Sequence, residues 1–269
     1  MEMKEYKGIL HCHSTYSYDA KLSLLELKKL FQEKGLSFVC MTEHVDELTP
    51  ERSEEFVREC EVLSDDSFRF IPGFEVPYKH AHILMIGMRE FLGKYASTLE
   101  VLKTWTSKAE FVVLAHPVRN HFEVEDGLLE QIDALEVWNQ QYEGKRVPRT
   151  RSVTLLDGLR KQKPLLLAVG GVDFHRTEHF GSPVTTLSVE KLTEATILEK
   201  LQTGAYSVSS DKAFFYGTLP NSVGLLRAHR LESLVSVTVI VMGKFVNKIL
   251  ASLGLSLPKS FRNIIRKRL

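Results

Sequence analysis

Two histidines, His11 and His13, stand two residues apart where the apolar run of residues 6–10 ends. On a strand, successive side chains point to opposite faces, so His11 and His13 share one face and Cys12 points to the other. Two imidazoles held side by side at a strand end can grip one cation. Taken alone, the spacing fits a pair of polar residues at a strand end equally well. Ten histidines occur in all, at positions 11, 13, 44, 80, 82, 116, 121, 175, 179 and 229. Six of these stand where an apolar run ends or begins. His44 closes Phe38-Val39-Cys40-Met41-Thr42-Glu43-His44, His82 opens His82-Ile83-Leu84-Met85-Ile86, and His116 closes Val112-Val113-Leu114-Ala115-His116. His175 follows Asp173 at the same two-residue spacing, and Glu75 lies in the strand-like stretch Ile71-Pro72-Gly73-Phe74-Glu75-Val76. One histidine at a strand end is ordinarily solvated or hydrogen-bonded. Six at separate ends, with two carboxylates among them, point jointly to a metal cluster. Histidine and carboxylate donors together suit Zn, Mn or Fe, and a carboxylate can bridge two cations.

The elements that must position these donors alternate. Strand-like runs fall at residues 6–10, 38–41, 69–76, 83–86, 111–115, 134–137, 165–172 and 184–189. Helix signals lie between most of them. Ser23 and Glu26 form a capping box before an amphipathic stretch that closes at Gly35, and Thr49-Pro50 offers a cap followed by proline at the first helical position. Ser97 and Glu100 repeat the box, and Thr193 opens a helix that ends at Gly204. This alternation predicts parallel strands joined by crossover helices, either an open α/β sheet or a barrel, and about seven units in 210 residues favour the barrel. In such folds the C-terminal ends of the strands gather at one rim, so residues distant in sequence converge there. No glycine-rich dinucleotide or P-loop fingerprint follows the first strand, and no GxSxG or Cys/His nucleophile arrangement is present.

With 43% hydrophobic and 26% charged residues, the 269-residue chain has an ordinary globular composition. Its three cysteines, Cys12, Cys40 and Cys60, show no CxxC spacing, and the N-terminal residues lack the apolar core of a signal peptide. A reducing cytosol fits best. The net charge of +1 conceals an asymmetry: residues 216–269 hold nine Lys/Arg against Glu232 alone, for +8, leaving −7 on residues 1–215. Two regions are therefore expected, an acidic body at 1–215 and a basic, helical C-terminal extension at 216–269.

The set HxH with a following Ser and Asp, then TEH, GFE, HILMIG, LAHP and GGVDFH resembles, in that order, the PHP family of polymerase-associated and histidinol-phosphatase-like phosphoesterases. The resemblance covers residue 7 to about 210. It implies an α/β fold, a distorted (β/α)7 TIM-like barrel, with two or three divalent ions at one rim. Carried over by position, His11, His13, Glu75 and Asp173 would hold a first metal, and Glu75 would bridge to a second held by His82 and His116. Asp19, His44 and His175 would hold a third. His82 is preferred to His80 because it directly abuts the apolar strand. The chain departs from the family pattern at Glu43, where many members have Asp, at Val172 and Ala20, and at Asp19, where some use His.

The activity implied is hydrolysis of a phosphoester by a metal-bridging hydroxide. The substrate would be a phosphorylated small molecule, a nucleotide or an oligonucleotide end. Arg119 and Arg176, close in sequence to His116 and His175, are candidates to bind phosphate and equally candidates for solvated loop residues. Two other readings stand beside this one: an amidohydrolase, which also uses HxH and a late Asp, and a metal-stabilised regulatory domain without turnover. In the extension, the apolar run at residues 234–242 is well short of the ~20 needed to span a bilayer. The last eleven residues set Phe261, Ile264 and Ile265 among arginines. That pattern suits an anionic membrane surface, a nucleic-acid backbone, or packing on the acidic body.

Overall fold

The computed structural model describes residues 2–219 and 222–252. In chain order the elements are β1 (Lys4–Cys12), α1 (Leu24–Glu33), β2 (Phe38–Met41), β3 (Glu43–His44), α2 (Pro50–Leu63), β4 (Arg69–Ile71), β5 (Gly73–Tyr78), β6 (Ala81–Ile86), α3 (Leu99–Thr106) and β7 (Phe111–Leu114). There follow β8 (Ala134–Asn139), α4 (Gln140–Glu143), α5 (Thr150–Leu159), β9 (Leu167–Phe174), β10 (Val184–Val189), α6 (Glu194–Thr203), β11 (Tyr206–Ser209), β12 (Phe214–Tyr216) and α7 (Ser222–Ser252).

Local chemistry sets most of these boundaries. Ser23 accepts from the Glu26 N–H while Glu26 reaches back to the Ser23 N–H, closing the box that starts α1; Leu24, Leu27 and Phe31 then form its buried stripe. Thr49 caps α2 with Pro50 in the first turn. Thr193 caps α6, and Gly204 ends it in the left-handed region at φ 70°. The third start differs from expectation. Thr98, not Ser97, caps α3 by accepting from the Val101 N–H, which puts Glu100 one place too early to close a box.

The strands form one large mixed sheet. Its hydrogen-bonded path, β12-β11-β10-β1-β9-β8-β7-β6-β5-β3, is open, with β2 beside β1 and β4 beside β2 off the path. Parallel pairing, as the alternation predicts, joins β1 to β2 and β9, β7 to β8, and β8 to β9. An all-parallel sheet is not what forms, because β5–β6, β6–β7, β1–β10, β10–β11 and β11–β12 are antiparallel. Between β5 and β6 stand only Lys79 and His80, with Lys79 at φ 50°; a two-residue link makes a hairpin and is far too short for a crossover helix. β12 straddles residue 215, where the acidic body was expected to end. The strands' apolar side chains make one core, in which Phe38, Phe74, Phe111 and Trp138 are buried.

The basic extension is helical where it is described. α7 is a 31-residue helix that packs on α4 and α5. The closing segment with Phe261, Ile264 and Ile265 lies outside the described residues. Among the described residues no helix is long and apolar enough to cross a membrane.

Candidate metal centre

Glu75, in β5, is 1% exposed, and five imidazoles surround its carboxylate. Its Oε2 lies 3.2 Å from His11 Nε2, 3.3 Å from His13 Nε2 and 3.3 Å from His44 Nδ1. Its Oε1 lies 2.5 Å from His82 Nδ1 and 2.9 Å from His116 Nε2. Asp173 Oδ1 stands 3.5 Å from His11 Nε2, 3.6 Å from His13 Nε2 and 3.4 Å from His175 Nδ1. Asp19 reaches His175 Nε2 at 3.2 Å and His44 Nε2 at 3.7 Å. All nine residues singled out in the sequence as metal ligands therefore meet at one place. His80, by contrast, is exposed in the hairpin turn.

The convergence does not come from regular strand alternation alone. His11 sits at φ 62°, and the register of β1 shifts between Ile9 and Cys12 against β2 and between Leu10 and Cys12 against β9. His13 then falls just beyond the end of β1. Asp173 is at φ 53° and His116 at φ 24°, left-handed backbone that L-residues seldom adopt. Three residues of the cluster thus sit in strained backbone, a feature that concentrates at functional sites. A bulged strand end re-aims its side chains, so His11 and His13 meet at Glu75 through the bulge and not through flat-strand alternation.

Hydrogen bonds on the far side of three rings fix which nitrogen points inward. His11 Nδ1 donates to Glu136 Oε1 at 2.9 Å, and His175 Nδ1 donates to the Asp173 carbonyl at 2.9 Å. His13 Nδ1 lies 3.3 Å from Ser17 Oγ, which donates to Glu43 at 2.5 Å and accepts the His44 N–H at 2.9 Å. With its own proton committed to Glu43, Ser17 can only accept from His13. Nε2 is then the nitrogen each ring turns toward a cluster carboxylate, Glu75 for His11 and His13 and Asp19 for His175, the arrangement by which a carboxylate or carbonyl orients a metal-binding imidazole. The buried His13 Nε2 makes no hydrogen bond, and neither do His116 Nδ1 and Asp19 Oδ1. An unpartnered buried imidazole nitrogen facing two carboxylates fits a cation between them.

Charge in the cluster is balanced by protons in the cation-free state. Burial pushes the His11 imidazole down, but Asp173, Glu136 and Glu75 overcome this and hold it well above its ordinary value. Burial also opposes protonation of His13, yet its contacts with Asp173 and Glu75 push it up to about 9. The same histidines hold Glu75 and Asp173 well below the usual carboxylate range against the cost of burial. His44, buried and beside charged His13, is pushed down to about 3.

Three groups of donors are tight enough for a cation each: His11, His13 and Asp173; His11, Glu75 and His116; and His13, His44 and His175. His44, Glu75, His116, Asp173 and His175 from these groups line a cavity of about 580 Å³ whose wall includes Tyr18, Asp46, Glu47, Arg119 and Tyr142, while His11 and His13 lie buried behind it. Arg119 faces this cavity, whereas Arg176 is exposed and does not line it. Sequence reasoning missed Glu136, which is fully buried; besides orienting His11 it accepts the His116 N–H at 2.6 Å and the Asn139 side-chain amide at 3.0 Å. Its signal was a lone carboxylate inside the apolar strand Ala134-Leu135-Glu136-Val137-Trp138. Gly171 makes room for it, since a Cβ there would lie 1.7 Å from Glu136 Oε1 and 2.9 Å from His11 Cβ. Tyr142, whose ring lies 5.4 Å from that of His116, was missed as well.

Residues 10–251 match the PHP domain family model. The chain belongs to the PHP family. The match takes in the whole donor cluster and most of α7. Among solved structures, the chain resembles a two-domain protein from Bacteroides vulgatus containing a predicted PHP-like metal-dependent phosphoesterase. The TM-score is 0.56 at 13% identity, over 77% of this chain and 65% of that one. The PHP chain thus spans somewhat less than two thirds of that protein, and the likeness is one of fold. An amidohydrolase from Chromobacterium violaceum aligns at a TM-score of 0.43 and 14% identity, over 71% of this chain and 95% of that one. No curated protein matches the sequence at a significant level. The family match and the converging donors together mark this cluster as a candidate metal centre.

Proposed function

We propose that this PHP domain hydrolyses phosphoesters, with divalent cations held by the nine converging donors. The observation that carries the reading is Glu75, a buried carboxylate with five imidazoles around it. His11, His13, Glu75 and Asp173 would hold one cation, Glu75, His82 and His116 a second, and Asp19, His44 and His175 a third. Zn, Mn and Fe all suit these donors. Bound there, the cations would supply an acidified water at neutral pH and neutralise charge on phosphate oxygens.

The chain's own residues favour an anionic substrate only in that loaded state. The cavity wall and floor carry five carboxylates, Asp19, Asp46, Glu47, Glu75 and Asp173, against one guanidinium, Arg119. Without cations such a cavity repels phosphate. With them the floor becomes positive, and Arg119 adds a guanidinium able to grip two phosphate oxygens. Tyr18 and Tyr142 bring aromatic surface to the same wall. The volume suits a phosphorylated small molecule, a mononucleotide or the end of an oligonucleotide.

Strand pairings support the distorted (β/α)7 barrel behind this reading. β2 and β3 are separated by Thr42 alone, and β4 and β5 by Pro72 alone. Taken as two interrupted strands, they lead the sheet from β5 back through β2 to β1. The buried, unpaired Cys12, Cys40 and Cys60 support a reducing, cytosolic setting.

The test is elemental analysis of the purified protein, followed by a panel of phosphomonoesters, mononucleotides, short oligonucleotides and amides assayed with added Mn, Zn or Fe. Turnover of a phosphoester that depends on added metal is expected. Turnover of amides alone would replace this reading with the amidohydrolase one, and metal-replete protein inert on the whole panel would favour a regulatory domain.

A further inference from the structure

α7 packs on α4 and α5 and buries Ile240, while Leu231, Leu234, Val241, Met242, Phe245 and Ile249 remain 43–76% exposed. At 3.6 residues per turn these six fall within an arc of about 100° on the side opposite Ile240, and they run about 27 Å along the axis. An apolar stripe of this length, interrupted only by Thr238 among the described residues between Leu231 and Ile249, on a helix already anchored by its other face is not ordinary scattered surface hydrophobicity. It is also not a membrane span, because no described helix is long and apolar enough.

Charge selects the occupant. Beyond Glu232 the sequence holds seven Lys/Arg and no Asp or Glu. Lys248, exposed, lies just outside the apolar arc. A second copy pairing through the same stripe would bring two +8 segments together. A nucleic-acid backbone would satisfy the charges but leave the stripe in water. A bilayer surface rich in anionic lipid takes both, with the apolar side chains below the headgroups and the cations among them. We propose that α7 docks this domain, lying flat, on an anionic lipid surface. The anchored helix touches α4, the same short element that carries Tyr142 into the cavity wall, so the docked face and the metal centre share a support.

The experiment is co-sedimentation of the full chain with vesicles of phosphatidylglycerol and phosphatidylcholine in equal parts, and with vesicles of phosphatidylcholine alone. Binding to the mixed vesicles is expected at least tenfold tighter than to phosphatidylcholine, and weaker in high salt. Phe245→Asp and Met242→Asp, both at exposed positions, should each reduce it at least tenfold with unchanged circular dichroism, while Lys248→Glu reduces it less. Absence of binding to the mixed vesicles overturns the proposal, and so does binding indifferent to Phe245→Asp. If wild type sediments as a dimer that Phe245→Asp dissociates, a second copy is the occupant. If duplex or single-stranded DNA binds tightly and vesicles do not, nucleic acid is.

Discussion

Glu136 Oε1 accepts a hydrogen bond of 2.9 Å from His11 Nδ1 while Glu136 Oε2 accepts the His116 backbone N–H at 2.6 Å. One carboxylate thereby sets the ring of one inward-facing histidine and the backbone position of another. Glu136→Gln should fold but weaken cation binding by about 10–100-fold, the usual effect of losing a carboxylate behind a ligating imidazole. Titration with Mn or Zn, followed calorimetrically, measures this; affinity equal to wild type would remove Glu136 from the account.

The space Glu136 occupies is set by Gly171. A methyl group there would overlap Glu136 Oε1, and neither Glu136 nor the neighbouring His11 has room to yield. Gly171→Ala should lower stability by about 1–3 kcal/mol through overpacking and reduce cation affinity along with it. Urea unfolding of the cation-free protein reads the first effect separately from the second.

Cation binding should expel protons. His13 is held up to about 9 and His11 well above its ordinary value, so both are charged near pH 7.5 when no cation is present. A coordinating imidazole must be neutral, so loading displaces those protons and affinity rises as pH approaches 9. Calorimetry at pH 7.5 in buffers of different ionisation enthalpy should show net proton release, with the share owed to His13 lost as pH rises past about 9. Identical heats in all buffers at pH 7.5 would contradict it.

Most of the converging donors were legible because six histidines stand where an apolar run ends or begins, whereas Asp19 came only with the family resemblance. Glu136 was not, because a single carboxylate within a strand has no spacing partner to mark it, and only its neighbours across the sheet give it a role. Alternation predicted a common face for His11 and His13; they do meet at Glu75, but through a bulge with His11 at φ 62° that no two-residue period encodes. The hairpin between β5 and β6 hid inside one strand–helix reading because its turn, Lys79-His80, lacks the glycine or asparagine that usually marks such a link. β11 and β12 are four and three residues long, too short for a periodic signal.

Glu143 offers a pH test away from the cations. Burial pushes its carboxyl up to about 8, against the opposing contacts from Ser152 Oγ (2.8 Å) and the Asn139 N–H (2.9 Å). Between its unfolded value, near 4.5, and about 8 the folded chain holds a proton that the unfolded chain has lost, so this group's contribution to stability falls as pH rises across that window. The limiting slope is about 1.4 kcal/mol per pH unit. Gln keeps the shape and, like the protonated acid, carries no charge. Glu143→Gln should therefore gain stability relative to wild type as pH rises from 5 to 8, measured by urea unfolding in parallel. A difference that stays constant with pH would show that Glu143 is ionised in the fold.

The central claim is that the carboxylate of Glu75 gathers cations that act on a phosphoester. It is tested most directly by the initial rate of phosphomonoester hydrolysis by wild type and Glu75→Gln, each stripped with chelator and reloaded with Mn or Zn. Stripped wild type should be inactive, metal should restore it, and Glu75→Gln should stay at least a hundredfold slower at every metal concentration while keeping its fold. Hydrolysis by Glu75→Gln at the wild-type rate, or by stripped wild type without added metal, would contradict it.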